Sequence, residues 1–86
     1  MLLILTDVPK VQRGFGSLMP EDLDRLTVTE ARELLAAGEF GAGSMGPKVE
    51  ASIRFLEAGG ERAVIADLDG AVAALRGAAG TELRAG

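Results

Sequence analysis

Apolar residues run without a break from Leu2 to Leu5 and stop at Thr6-Asp7. A short continuous run of this kind predicts a strand covered on both faces, the usual state of strands in a parallel sheet flanked by helices. Arg62 to Ala66 (RAVIA) predicts a second such strand. Between the two runs the apolar period changes to that of a helix. Val28, Ala31, Leu34 and Leu35 share one helical face behind Thr27-Val28-Thr29-Glu30, a capping box in which Thr27 and Glu30 satisfy each other's backbone donors, and Gly38 is placed to end the helix. Val49, Ile53 and Leu56 follow at i, i+4 and i+7, with Glu50, Arg54 and Glu57 towards solvent and Gly59-Gly60 as a stop. Pro47 suits the first position of that second helix, where a missing N–H costs nothing.

The remaining pattern is weaker. Residues 7–20, with Pro9, Gly14, Gly16, Ser17 and Pro20, predict a loop or irregular hairpin, and Leu23 to Leu26 a short strand. Asp67 is a good N-cap for a short helix carrying Leu68, Ala71, Val72 and Leu75, closed by Gly77 and Gly80. Thr81 to Arg84 predicts a last, edge strand. Strands and helices in this order suit an α/β layer architecture, and 86 residues make at most one small domain with a thin stability margin. A buried strand starting at residue 1, with no lead-in, leads us to expect that the chain begins inside a larger domain.

Composition narrows the chemistry. Nine Lys and Arg against thirteen Asp and Glu give a net charge of -4, and there is no basic stripe, so nucleic acid is not an expected partner. Five apolar residues before Thr6 are too few for a signal-peptide core or a membrane span. With no cysteine and no histidine, disulfides, thiolate sites and the usual zinc and base chemistry are absent, which fits a cytosolic setting. Glu50, Glu57, Glu61, Asp67 and Asp69 offer no pair whose spacing demands acid–base or metal work, so no metal ligands are assigned. Phe15, Phe40 and Phe55 are expected in the core or in a pocket wall.

One stretch stands apart: Gly41-Ala42-Gly43-Ser44-Met45-Gly46-Pro47-Lys48 places three glycines and a proline ahead of a lysine in the first helical turn. The amino end of a helix carries roughly half a positive charge, so a cation there calls for local compensation. Gly41-x-Gly43-x-x-Gly46 has the spacing of a dinucleotide fingerprint, but it follows a helix instead of a strand and has no acidic ribose ligand at the expected distance, and a Walker loop fails on its glycine spacing and because Val49 follows Lys48. Two readings stay open from the residues alone. Small residues can let backbone N–H groups and Lys48 approach a phosphate, or the stretch is a structural turn whose lysine reaches solvent. Thr6-Asp7, at the carboxyl end of a strand, either faces a ligand or caps a turn; Lys10 and Arg13 either assist an anion or are simply solvated. Met45 is placed to pack on an adenine ring.

The residues "LLILTDVPKV" and "GSMGPKVEA" followed by "IRFLEAGGERAVI" resemble the carboxy-terminal third of carbamate kinases, of the amino acid kinase fold. The resemblance runs over nearly the whole chain. It implies a three-layer αβα sandwich with a mostly parallel sheet, present here in part, in a homodimeric cytoplasmic enzyme that moves phosphate between ATP and carbamate with Mg2+. By the same resemblance Thr6, Asp7, Val8 and Val11 belong to a nucleotide base and ribose loop, and Gly43, Ser44, Met45, Gly46, Pro47 and Lys48 to a phosphate turn. Lys48 is thereby implied as the catalytic residue that steadies charge on the transferring phosphoryl group. Two departures stand beside the likeness: Pro9 follows Thr6-Asp7-Val8 where an acidic residue is usual, and Gln12-Arg13-Gly14 replaces an aromatic pocket wall.

The amino-terminal part of such enzymes, which holds carbamate or carbamoyl phosphate, has no counterpart in these residues. The expectation is therefore an ATP/ADP-binding portion that does not catalyse alone. The alternative is a non-catalytic module that binds a nucleotide or a protein and self-associates through an open edge at Leu2 to Leu5.

Overall fold

The computed structural model describes residues 1–14, 21–40 and 44–85. Its spine is β5 (Ala63–Asp67), in which Ala63, Val64, Ile65 and Ala66 are all buried. Along one side β5 pairs in parallel with β1 (Leu2–Thr6), from Leu2 opposite Ala63 to Thr6 opposite Asp67. On its other side it pairs antiparallel with β6 (Thr81–Arg84), which in turn pairs in parallel with β4 (Arg25–Thr27). The sheet order is thus β1-β5-β6-β4, a mixed sheet with β1 and β4 at its edges.

Alternation along the strands separates two apolar faces. Leu2, Ile4, Ala63, Ile65, Leu83 and Leu26 point to one side, where α1 (Val28–Ala36) and α2 (Met45–Glu57) pack with Ala31, Val49, Ile53 and Leu56. Leu3, Val64 and Ala66 point to the other, where Ala74 of the short α3 (Ala71–Leu75) and Ala79 cover them. The capping box forms as its residue types predict: the Glu30 N–H donates to Thr27 Oγ1 at 3.2 Å, and the Thr27 N–H donates to Glu30 Oε1 at 3.0 Å. Gly38, at φ +73°, closes α1 with its N–H on the Leu35 carbonyl.

Four expectations are corrected. Thr81 to Arg84 is an interior strand, because Thr81 and Leu83 are fully buried and both neighbours are occupied. The predicted strand at Leu23 to Leu26 divides at Asp24: β3 (Glu21–Leu23) pairs antiparallel with β2 (Val11–Arg13), while β4 joins the main sheet. Asp67 ends β5 and its carboxylate accepts the Gly70 N–H at 2.7 Å, so it caps the intervening turn, and the N-cap of α3 is Gly70. Leu68, Val72 and Leu75 do not face the core; Leu68 is 74% and Val72 66% exposed, and only Ala74 is buried. The fourth concerns α2, which starts at Met45 behind Ser44, leaving Pro47 third; its missing N–H still falls in the turn that has no intrahelical partners.

One buried hydroxyl ties the β2–β3 hairpin to the sheet. Thr81 Oγ1 accepts the Val11 N–H at 2.8 Å and donates to the Leu23 carbonyl at 2.5 Å. Replacing that oxygen with a methyl leaves a buried donor and acceptor unmade, each worth roughly 1–3 kcal/mol. Thr81→Val is therefore expected to lower the unfolding free energy by about 2–4 kcal/mol in urea titration. An unchanged midpoint would refute the tie.

The other tie is charged. Glu82 accepts from Arg84 Nε at 2.6 Å and from Arg62 Nε at 2.5 Å, and Arg62 also donates to the carbonyls of Ala74 and Leu75 at 3.0 Å, closing the end of α3 onto the sheet. The Arg84 guanidinium, with Arg62 beside it, holds the Glu82 carboxyl below its ordinary value, against the opposing effect of burial. A lowered carboxyl contributes stability that is present above the ordinary pKa and lost as pH falls through the lowered one. The stability difference between the parent and Glu82→Gln should thus be widest near neutral pH and narrow below about pH 4.3 in thermal melts. A difference independent of pH would contradict it.

Candidate functional site

The site assembles where the parallel pair ends. Thr6 closes β1 and lies opposite Asp67 at the end of β5, so both strands deliver their carboxyl ends to the same edge of the sheet. Open α/β sheets bind ligands outside such ends. The helix α2 enters β5 through the turn at Gly59-Gly60 and Glu61, so its amino end lies back at that same edge. There the Lys48 ammonium donates to Thr6 Oγ1 at 2.8 Å and reaches Ser44 Oγ at 3.5 Å. The Thr6 hydroxyl in turn donates to Asp7 Oδ1 at 3.3 Å.

The first turn of α2 contains no acidic residue, and the Ser44 side chain makes no capping bond. The helix end therefore keeps its positive character with Lys48 added to it, which is the electrostatic description of an anion site. Lys48 is half-buried and Ser44 and Pro47 are exposed, while Gly46 is buried against α1. Met45 packs at the margin of the core, and Asp7 and Val8 are exposed at the mouth. Among the residues assigned from the sequence, Thr6, Asp7, Ser44, Met45, Gly46, Pro47 and Lys48 thus gather at one end of the sheet. Gly43, with Gly41 and Phe15, lies outside the described residues. Val11 is placed differently: it is fully buried in the core and its N–H is held by Thr81, so it fixes the hairpin instead of facing solvent.

Lys10 and Arg13, weighed as anion ligands, have local partners. Lys10 pairs with Asp24, and Arg13 lies 3.8 Å from Glu39 and 4.0 Å from Glu21. A cavity of about 490 Å³ opens elsewhere, lined by Lys10, Asp24, Arg25, Ala74, Gly80 and Glu82. Lys10 and Glu82 there are already paired, with Asp24 and with Arg62 and Arg84, which leaves Arg25 as its unpaired charge among the described residues. Among the described residues Lys48, Arg25 and Arg76 have no carboxylate within ion-pair distance, and of these three Lys48 stands at the amino end of a helix, whereas Arg25 lies in β4 and Arg76 ends α3. The Thr6 contact with Lys48, spanning 42 positions, is the feature that reading the residues missed. No local signal announces it.

With this geometry in place, comparison with known proteins is decisive for kinship. A model of the amino acid kinase family matches residues 1–67. The chain belongs to the amino acid kinase family. Within it, the carbamate kinase of Halobacterium salinarum is 58% identical over 79 residues, covering 92% of this chain and 26% of that protein. The carbamate kinase of Thermococcus kodakarensis is 49% identical over 83 residues, covering 96% of this chain and 26% of its own length. A solved structure of Giardia lamblia carbamate kinase bound to AMP-PNP superposes with a TM-score of 0.89 at 40% identity, over 96% of this chain and 29% of that one. The chain accordingly spans about a quarter of the length of these amino acid kinase relatives.

Gly46 separates a packing role from a ligand role. Among the described residues a Cβ built there meets only Leu35 Cδ1 at 3.6 Å, an ordinary contact, so none of them requires glycine at this position. Alanine is also the better helix former by about 0.5–1 kcal/mol. Gly46→Ala is expected to leave the melting temperature unchanged or raised, while weakening phosphate-bearing ligands that approach the helix end in calorimetric titration. A loss of stability with intact binding would assign Gly46 to packing.

Proposed function

We propose that this chain is the nucleotide-binding, carboxy-terminal portion of a carbamate kinase, and that its sheet and helices are part of a three-layer αβα domain of that family. The reaction of the whole enzyme is then ATP plus carbamate to ADP plus carbamoyl phosphate. The observation that carries the reading is the Lys48 ammonium, held 2.8 Å from Thr6 beside an uncapped helix amino end at the carboxyl edge of β1. The family match and the AMP-PNP-bound structure of the Giardia lamblia relative support a nucleotide as the anion.

In this reading the α2 amides of Met45 and Gly46 and the Lys48 ammonium receive the phosphates, with Ser44, Pro47 and the adjoining Gly43 shaping the turn. Thr6, Asp7 and Val8 border the ribose and base, with Met45 against the adenine, and Val11 anchors the loop from the core. Phosphoryl transfer asks the protein chiefly for positioning and charge stabilisation, and a preset ammonium supplies both. Among the described residues no group of three or more potential ligands could hold a metal ion. Mg2+ would be carried on the nucleotide, since this ion keeps several waters and is commonly bound through substrate phosphates with one or two carboxylates. Asp7 and Asp67 are the carboxylates at this edge. Carbamate or carbamoyl phosphate would be held by the amino-terminal portion, in a cytoplasmic homodimer.

Calorimetric titration with ADP, AMP and adenosine in the presence of magnesium tests this directly. ADP should bind more tightly than adenosine, and Lys48→Ala should cost ADP about tenfold or more, as expected for a hydrogen bond to a charged group, without moving the adenosine affinity or the melting temperature. The chain alone should transfer no phosphate from ATP to carbamate. Equal affinity of parent and variant for ADP would remove Lys48 from the assignment, and turnover by the chain alone would remove the need for the missing portion.

A further inference from the structure

We propose that Thr6 is a positioning residue that acts on the nucleotide through Lys48; the inference rests on the nucleotide reading above. Three side chains form a directed relay. Lys48 has three protons to donate and no acceptor, and the structure directs them towards Thr6 Oγ1 at 2.8 Å and Ser44 Oγ at 3.5 Å, leaving donor capacity for a ligand oxygen. A threonine hydroxyl has one proton. Here that proton goes to Asp7 Oδ1 at 3.3 Å, which turns the oxygen lone pairs towards the ammonium.

Asp7 thereby fixes the orientation of the Thr6 dipole without pairing with Lys48 itself. That distinction matters for binding. A carboxylate in direct contact would neutralise the ammonium and compete with phosphate, whereas a hydroxyl holds it in place and leaves its charge uncompensated. The backbone of Thr6 is pinned by the β1–β5 ladder at Asp67, and the β-branched side chain restricts χ1, so the oxygen is held at both ends. Lys48 stands in the first turn of a helix, where the dipole repels it; without Thr6 the flexible four-carbon stem would swing the ammonium outward. Thr6 offsets that tendency. Its assignment therefore shifts from a residue that touches ribose to one that presets the cation for phosphate.

The test compares the parent chain with Thr6→Val, which keeps the shape and removes the oxygen, and Thr6→Ser, which keeps the oxygen. In calorimetry, Thr6→Val is expected to lose about tenfold in ADP affinity with adenosine unchanged, and Thr6→Ser to recover most of the loss. In nitrogen NMR, Lys48 Nζ of the parent should show a signal distinct from exposed lysines, retained in Thr6→Ser and merged with them in Thr6→Val. That second readout needs no ligand. If the parent does not prefer ADP to adenosine, the nucleotide reading fails, and the proposal falls with it whatever the NMR shows. If the parent does prefer ADP, then Thr6→Val binding it like the parent, losing ADP and adenosine equally, or leaving the Lys48 signal unmoved overturns the positioning role, as does a Thr6→Ser no better than Thr6→Val.

Discussion

The parallel pairing of β1 with β5 is the constraint from which the rest of the arrangement follows. Parallel neighbours cannot be joined by a tight turn; the chain must leave the carboxyl end of β1, cross the sheet and return to begin β5 at the same end as β1. The element that returns here is α2, 13 residues long and so about 20 Å, against roughly 16 Å for a five-residue strand. A helix of that length, ending just before β5, necessarily has its amino end at the carboxyl edge of both strands. The stripe of Val49, Ile53 and Leu56, buried against Ile4 and Ile65 in one cluster, fixes its rotation. Lys48 then projects towards Thr6. The candidate site is a geometric consequence of how the core closes.

At that edge two effects oppose each other, and their sizes decide the outcome. A cation in the first turn of a helix is disfavoured by about 0.3–1 kcal/mol, while a hydrogen bond to a charged group contributes about 1.5–3 kcal/mol. The hydroxyls of Thr6 and Ser44 are therefore sufficient to keep Lys48 in place, provided the ammonium is not drawn into a surface ion pair. Elsewhere the chain forms such pairs freely: Arg54 with Glu50, Arg32 with Glu57, Arg62 and Arg84 with Glu82. At the α2 end it does not. A helix start with an uncapped serine, no acid and a held ammonium gives up local stability, and in the proposed reading that arrangement serves an anion.

How much of this was legible along the chain depends on the range of the forces involved. The capping box at Thr27 and Glu30, the Gly38 stop and the α2 stripe are set within four or five residues, and each reads directly from the residue types. The strand runs at Leu2 and Ala63 were equally plain because both faces are apolar. The interior place of β6 was not, since four residues with Glu82 and Arg84 among them look like an edge until Arg62 arrives to neutralise Glu82 from 20 positions away. The same holds for the hairpin, whose anchor is a hydroxyl 70 residues beyond Val11. Val11 itself has the residue type of a pocket wall and the environment of a core residue, and only the fold distinguishes them. At the candidate site, Lys48 stood out from the residue pattern at the start of α2, and its long-range partner Thr6 explains why the lysine can stand there.

The two faces of the sheet are covered unequally, and this bears on what the chain does by itself. Two helices bury one face, whereas a single five-residue helix covers the other, leaving Leu5 at 47% exposure on an open edge strand and Leu68 and Val72 largely in solvent. Exposed strand edges and contiguous apolar surface favour further association. In the proposed kinase reading, the amino-terminal portion is the natural cover for this side, and carbamate would be bound there as well. The end proposed to hold the nucleotide is, by contrast, built around one crossover and the strands it joins. In that reading nucleotide affinity is separable from catalysis: Thr6 and Lys48 would hold the phosphate, and the acceptor would be supplied from across the uncovered face.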